Sequence, residues 1–210
     1  MSTIELYGCR GCGSAVVEVL LERAGVEFVY QEVKSWKPGP ATDALKAANP
    51  LAQVPTLKLA NGTIVTESAA IIVMLDASYP AARILPPAGD PRRSLALRWI
   101  VFIAGNMYPA ISLVDFPERW VKSDAARAEL KDGAVERLKA YWTMLEQALK
   151  PAPYLLGREM TALDVYAAML SRWEPGRPWV DEHCRQVASA LALAEQDPIV
   201  ARVWERNFKR

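Results

Sequence analysis

Between Tyr79 and Pro91 the chain places four prolines and a glycine within thirteen residues, and this break limits the fold more than any other feature. Proline fixes φ and removes a backbone donor, so such a stretch neither continues a helix nor sits inside a sheet. Two units joined by a linker are therefore expected: residues 1–79, a linker over 80–91, and residues 92–210. With 51% of 210 residues apolar, both units have enough side chains to bury a core.

Before the break, element types alternate. Ile4–Tyr7 reads as a short buried strand, followed by a turn-rich loop over Gly8–Gly13. In the next segment Val17, Leu20, Leu21 and Ala24 recur at helical spacing, predicting one apolar stripe and a helix stopped at Gly25. Val26–Val33 mixes β-branched and aromatic residues and predicts a second strand. A loop over Lys34–Pro40 and a short helix near Thr42–Ala48 follow. Pro55–Leu59 and Thr63–Thr66 flank Asn61-Gly62, a dipeptide suited to a tight hairpin turn. Asn61-Gly62-Thr63 also fits a glycosylation sequon, but the turn is the reading adopted. Ser68–Leu75 predicts a helix packed on the sheet. Strand, helix, strand, helix, hairpin, helix makes an α/β unit.

After the break the signals are helical. Asp90-Pro91 and Asp197-Pro198 each join an N-cap to proline at the first helical position. Ser123 is placed to cap a helix reaching about Lys150, with Val135, Leu138, Trp142 and Leu145 at helical spacing. Thr161-Ala162-Leu163-Asp164 has the form of a capping box ahead of the apolar run Val165–Leu170. About five helices are expected, so the class is α/β followed by all-α.

Composition narrows the function. Lys and Arg total 25 against 24 Asp and Glu, so no overall field would draw the chain to nucleic acid or an anionic membrane. The longest stretch without a charge, Trp99–Val114, contains Gly105, Asn106 and Pro109, and is expected to be too short and interrupted to span a bilayer. The start of the chain has no signal-peptide pattern, and three cysteines do not make a disulfide framework. A reduced, cytoplasmic location is expected. No His/Cys cluster has metal-ligand spacing, so no metal is expected.

Three segments could carry chemistry. Cys9-Arg10-Gly11-Cys12 fits C-x-x-C, which in a chain with this start points to redox work. Counting from Tyr7, Cys12 takes the place that the reactive cysteine holds in glutaredoxins, at the helix N-terminus, and the partner place falls at Ala15. A thiol there meets unpaired N–H groups and the positive end of the helix dipole, which favour thiolate. The other reading is that Cys12 is a structural member of its loop; Cys9 and Cys184 are read as structural. In the second segment, Gln53-Val54-Pro55, proline stands at the start of a strand. Either this is an ordinary strand start, or a cis bond turns the Val54 backbone toward an extended ligand. The third is Glu67-Ser68. It is either a plain helix cap or a place where Ser68 holds an anion and Glu67 an ammonium, suiting the charged end of an amino acid.

These three segments in this order, followed by a helical half, resemble the cytosolic glutathione transferase superfamily. The resemblance rests on Gln53-Val54-Pro55-Thr56-Leu57, on Thr66-Glu67-Ser68 with Ala69-Ala70-Ile71, and on Thr161-Ala162-Leu163-Asp164. It implies a thioredoxin-like N-terminal domain that binds glutathione as co-substrate, with cis-Pro55, and an all-helical domain carrying the electrophile pocket. It also implies that Val54 pairs its backbone with the glutathione cysteine, beside Gln53, and that Glu67 and Ser68 hold the γ-glutamyl end. Cys12 would face the glutathione sulfur, and Lys37, with Trp36, would meet the glycyl carboxylate. Many members use Tyr or Ser at the sulfur. Here Tyr7 lies in the strand and points inward, Ser14 reaches the site only if the helix starts later than Cys12, and the cysteine of similar bacterial members aligns with Gly13.

The resemblance implies a homodimeric, detoxifying transferase in which Cys12 donates a hydrogen bond to the glutathione thiolate as it attacks a small hydrophobic electrophile. The alternatives are a thiol transferase or reductase using Cys12 covalently, with Cys9 as an unusual resolving thiol, and a non-catalytic glutathione-binding module. Asn106 and Tyr108 are expected on the electrophile side, with Met107, Ile111, Trp120 and Trp173 as further candidates or as core. His183, between charged residues, is read as a solvated surface residue.

Overall fold

The computed structural model describes residues 3–208; residues 1, 2, 209 and 210, at the outer ends of the two expected domains, lie outside the described residues. Two compact units emerge. One comprises the chain up to Pro87 together with Glu195 onward, and the other is Ala88–Ala194. The boundaries thus differ from those expected from composition at both ends of the helical half.

The first unit follows the expected alternation. Its strands are β1 (Ile4–Gly8), β2 (Phe28–Glu32), β3 (Thr56–Lys58) and β4 (Ile64–Val65), and its helices are α1 (Ser14–Arg23), α2 (Pro40–Ala48) and α3 (Ser68–Ser78). The sheet runs β2-β1-β3-β4, with β2 parallel to β1 and the β1–β3 and β3–β4 pairs antiparallel. The register sets Tyr7 opposite Gln31 on one side and Thr56 on the other, and Leu57 opposite Val65. The sheet is mixed because a crossover helix joins β1 to β2 while a hairpin joins β3 to β4.

Helix α1 departs from the single stripe. Every residue from Ser14 to Leu21 is buried, including Val16, Val19 and Glu18. The reason lies far along the chain. Helix α10 (Pro198–Phe208) belongs to this unit and meets α1 through Arg206 and Asn207, both hydrogen-bonded to Glu18. The helix ends as expected: Gly25 has φ +66°, and the N–H groups of Gly25 and Val26 donate to Glu22 and Leu21 at 3.0 Å.

The hairpin is one residue wider than the tight turn expected. Leu59 and Thr63 close a three-residue loop, Gly62 N–H donates to Leu59 O at 2.8 Å, and Gly62 alone in the loop has positive φ, +85°. This is a turn followed by a left-handed glycine, the next commonest hairpin connection.

The first half of the expected linker is structured. Pro80–Ala82 forms a 3₁₀ turn, Ile84 and Leu85 are buried, and Leu85 N–H donates to Asp76 Oδ1 at 3.0 Å. Apolar side chains inside the proline-rich stretch give it something to bury, which proline content alone does not reveal.

The second unit contains α4 (Pro91–Phe102), a π-helical segment (Ile103–Met107), α5 (Tyr108–Asp115), α6 (Asp124–Ala148), α7 (Ala162–Leu170), α8 (Arg177–His183) and α9 (Arg185–Ala194). With α10, seven α-helices follow the linker among the described residues, against about five expected. The π segment separates α4 from α5, and Cys184, at φ −129° and ψ 57°, separates α8 from α9. The caps sit where expected: Asp90 accepts from Arg92 N–H at 2.8 Å, Ser123 from Ala126 N–H at 3.2 Å, and Asp197 from Ile199 N–H at 2.9 Å.

Gly105, Asn106 and Pro109 do not interrupt the apolar run as expected. A π turn absorbs the first two and Pro109 falls in the first turn of α5. Pro91–Asp115 is consequently one helical run, long and apolar enough by length and composition to cross a membrane, a property that core helices of soluble proteins share.

Candidate functional site at one end of the sheet

Strand directions bring the predicted segments together. β1 ends at Gly8 and leads into the cysteine loop, and parallel β2 ends beside it at Glu32 and leads toward Lys37. β3 runs the other way, so Val54-Pro55, just before it, lies at that same end. β4, antiparallel to β3, ends there too and hands on to Glu67 and Ser68. The end of an open sheet beyond the carboxyl ends of its parallel strands is where α/β folds habitually hold ligands.

The cysteine loop is a β-turn. Cys12 N–H donates to Cys9 O at 3.1 Å, and Gly11, third in the turn, has φ +79°, a conformation that favours glycine. Cys9 is buried and Cys12 half-buried. The Cys12 thiol hydrogen-bonds the Cys9 sulfur, and this bond is the main force holding the Cys9 thiol below its ordinary pKa; Lys34 and Arg10 act in the same direction, while burial and Glu32 oppose them. Sequence spacing pointed to Cys12 as the favoured thiolate; the stabilisation described here acts on its neighbour Cys9.

Helix α1 starts at Ser14, with Gly13 as its cap residue, so Cys12 precedes the first helical residue by two positions. The Ser14 hydroxyl is engaged inside the fold: it accepts from Cys9 N–H at 3.1 Å, lies 3.2 Å from Cys9 O, and meets the Tyr30 hydroxyl at 3.5 Å. Burial pushes the Tyr30 phenol well above its ordinary pKa. A methyl group on Gly8 would come within 2.6 Å of Tyr30 Oη and 2.8 Å of Ser14 Oγ, so the strand end must be glycine for this cluster to close.

Arg10, between the cysteines, reaches back into the unit. Its guanidinium lies 3.9 Å above the Tyr30 ring and donates to both carboxylate oxygens of Glu18, at 3.1 and 2.9 Å. Its backbone N–H donates to Glu32. Sequence reasoning missed Arg10 and Glu18, whose eight-residue separation across a loop carries no local signal.

Tyr7 points inward as expected and packs with Val33 and Leu45, against which Ala52 and Val54 lie. The Val54–Pro55 bond is cis, as the resemblance implied, and β3 begins only at Thr56, which leaves Val54 half-buried outside the ladder. Gln53 is exposed. Its carbonyl accepts from Asn49 Nδ2 at 3.2 Å and Thr56 Oγ1 at 2.8 Å, while Asn49 Oδ1 takes Leu51 N–H at 3.1 Å. Buried Asn49 therefore holds the loop in shape; the Asn-Pro dipeptide was its available signal.

Glu67 is exposed and has φ +62°, and Ser68 is the half-buried first residue of α3. Ala52 has φ +50°. Of the three non-glycine residues with left-handed φ among the described residues, Glu67 thus belongs to a segment predicted to bind ligand and Ala52 adjoins another, and such strain gathers at functional positions. Lys37 and Trp36 are exposed on the loop after β2, where the Lys37 carbonyl accepts from Thr42 Oγ1 at 2.6 Å.

In the second unit Asn106 is exposed on the π segment and Tyr108 is half-buried. The Tyr108 ring lies 5.8 Å from both Tyr166 and Trp173, forming an aromatic cluster. Met107 and Ile111 are buried and Trp120 is exposed. His183 is an exposed surface residue stacked on Trp179 at 4.4 Å. Cys184 is buried, and burial pushes its thiol up to about 11. Among the described residues, no three His, Cys, Asp or Glu side chains gather as a metal site.

The sequence profile of the glutathione S-transferase N-terminal domain matches residues 14–78. The uncharacterized GST-like protein YncG of Escherichia coli (strain K12) is 33% identical over 205 residues, covering 97% of this chain and 98% of its own. Glutathione S-transferase GstA of Escherichia coli O157:H7 is 27% identical over 174 residues, covering 81% and 82%. Among solved structures, a glutathione transferase homolog from Sulfitobacter with bound glutathione superposes over the whole of both chains with a TM-score of 0.83 at 23% identity. A sphingomonad glutathione S-transferase complexed with glutathione gives 0.79 at 20% identity, over 96% of this chain and 97% of that one. The fold is thus the expected thioredoxin-like domain with a helical part, and the identity to YncG across nearly all of both chains shows that this chain belongs to the glutathione S-transferase family.

Proposed function

We propose that the chain binds glutathione at the common end of its sheet and transfers the glutathione thiolate to small hydrophobic electrophiles. The observation that carries this reading is the convergence of the cysteine loop, Val54-Pro55 and Glu67-Ser68 at that end. The glutathione bound in the Sulfitobacter and sphingomonad proteins supports it.

In this reading the Val54 backbone pairs with the cysteinyl residue of glutathione beside Gln53 and Pro55. The γ-glutamyl carboxylate meets Ser68 and the α3 N-terminus, and the ammonium meets Glu67. Lys37 takes the glycyl carboxylate. The sulfur faces Cys12. Asn106 and Tyr108 are the residues assigned to the electrophile. No metal takes part. A cytoplasmic, homodimeric, detoxifying enzyme is the matching cellular role.

One observation favours a second reading, in which Cys12 forms a mixed disulfide with glutathione. A second thiol stands beside it, since Cys9 and Cys12 are the two ends of one β-turn and their side chains interact. Titration calorimetry with glutathione, followed by turnover of aryl halides, epoxides, disulfides and hydroperoxides, tests both. Binding that weakens in Glu67→Ala and Ser68→Ala is expected, and undetectable binding at millimolar glutathione overturns both readings. Binding without turnover of any compound would leave a non-catalytic binding module.

A further inference from the structure

The two cysteines of the loop are arranged for each other. Their turn is closed by the 3.1 Å bond from Cys12 N–H to Cys9 O, and its third residue, Gly11, has the left-handed φ of +79°. A turn of this kind holds its end Cα atoms closer than about 7 Å, within the span a disulfide bridges. The Cys9 sulfur stays inside the loop, donating to Arg10 O at 3.5 Å, and the Cys12 side chain interacts with it. Ser14 grips the Cys9 backbone on both sides, and Glu18 and the Tyr30 ring hold Arg10, so the frame around the pair is fixed. The two thiols differ in access, since Cys9 is 1% exposed and Cys12 is half-buried.

We propose that Cys9 and Cys12 are a redox pair that exchanges with small disulfides and closes into a reversible intramolecular disulfide, Cys12 reacting first and Cys9 resolving. In the first step the Cys12 thiol passes its proton to the neighbouring Cys9 sulfur and attacks one sulfur of a small disulfide, RS–SR; the proton leaves Cys9 with the departing RS⁻. A Cys12–SR bond forms, the S–S bond of the reagent breaks, and one RS⁻ leaves. In the second step the Cys9 thiolate attacks the Cys12 sulfur, the Cys9–Cys12 bond forms and the second RS⁻ leaves. The protein has lost two electrons and two protons, and the reagent has become two RSH. Excess small thiol drives the same steps backwards. Burial leaves Cys9 out of reach of the reagent but beside the sulfur it must attack, which fixes the order. Cys12 is shared with the proposed glutathione site, but Val54, Glu67, Ser68 and Lys37 are not needed, so the pair can fail or hold independently of glutathione binding and transfer.

The test treats the full chain with 2-hydroxyethyl disulfide, quenches with acid, and maps the cysteines by intact mass and peptide digestion. The wild type is expected to lose two hydrogens without retaining the reagent, with Cys9 and Cys12 cross-linked and Cys184 unmodified. Dithiothreitol should restore the starting mass. Cys9→Ser, and independently Cys9→Ala, are expected to stop at one mixed disulfide on Cys12, and Cys12→Ser to remain unmodified over the same time. Circular dichroism of each variant confirms its fold before treatment. The proposal is overturned if the folded wild type stops at the mixed disulfide, stays unmodified, or forms a bond involving Cys184 or a second chain.

Discussion

The Glu18 carboxylate of α1 and the Arg206 guanidinium of α10 are joined by two hydrogen bonds, at 3.0 and 2.8 Å, although 188 residues separate them. The same carboxylate also accepts from Arg10 and from Asn207 Nδ2 at 2.8 Å. Glu18 is thus the buried node that ties the cysteine loop to the C-terminal helix, with only 3% of its side chain exposed. Removing one partner of a fully buried ion pair costs about 3–5 kcal/mol; here the loss should be smaller, because the Arg10 and Arg206 guanidiniums are each a third exposed and can hydrate, while the buried Asn207 amide loses its acceptor. Glu18→Ala is accordingly expected to lower the melting temperature by roughly 2–4 °C for each kcal/mol lost. Arg206→Ala should cost much less, since Arg206 is a third exposed and Glu18 keeps its other donors. Scanning calorimetry compares the two, and an equal effect would sink the node.

Gly8 tests the packing on the other side of the same loop. Its backbone needs no left-handed conformation, so Gly8→Ala isolates the steric clash with Tyr30 Oη and Ser14 Oγ. Neither neighbour moves freely, because Ser14 is tied to the Cys9 backbone and Tyr30 lies under Arg10. The expected loss is about 1–3 kcal/mol, as for an overpacked core. Denaturant unfolding of wild type and Gly8→Ala measures it, and unchanged stability would mean that the strand end has room to spare.

What the sequence made legible was local. Caps at Asp90, Ser123, Thr161 and Asp197 depend on a few adjacent residues, and each forms as read. The cysteine loop, Val54-Pro55 and Glu67-Ser68 were found because each is a contiguous motif. Their meeting at one sheet end was not readable residue by residue, since it follows from strand directions. Burial of both faces of α1 escaped notice because α10, which covers it, begins 184 residues after Ser14 and looks like any other amphipathic helix. The π segment escaped because Gly-Asn followed by Pro reads as a break, whereas neighbouring helical turns absorb it.

Asp164 offers a pH test. Its carboxylate accepts from Thr161 N–H at 2.8 Å and Leu155 N–H at 2.7 Å, yet burial outweighs these bonds and raises its pKa. A raised folded-state pKa means that the group's contribution is complete below its unfolded value, about 3.9, and is lost as pH rises through the folded value. Relative to Asp164→Asn, the wild type should therefore lose stability on going from acid to neutral pH. Melting temperatures of both proteins across that range measure the difference. Asp164→Ala, which strands both N–H groups, should cost about 2–4 kcal/mol at any pH in the range.

The Cys9 thiol should titrate below the ordinary cysteine range, because the Cys12 S–H stabilises its thiolate. The sign is that of a depressed acid: the stabilisation is present above the unfolded pKa of about 8.5 and lost as pH falls through the folded value. Ultraviolet thiolate absorbance followed against pH should show an early step in the wild type. In Cys12→Ala the step should move up, because the donor is gone, and in Cys9→Ala it should vanish. An early step that survives in Cys9→Ala would belong to Cys12 and reverse the assignment.

Cys12→Ser separates the two chemical readings of the site. Serine keeps a hydrogen-bond donor but cannot form a mixed disulfide at neutral pH. If Cys12 only donates to the glutathione thiolate, the variant should keep conjugating activity within about tenfold, about 1.4 kcal/mol, the scale of a single hydrogen bond. If Cys12 acts covalently, glutathione-dependent reduction of disulfides should disappear altogether while conjugation persists. Assays of both reactions on one preparation give the answer. Full disulfide reductase activity in Cys12→Ser would exclude the covalent role, and loss of conjugation alone would place Cys12 in the transfer step itself.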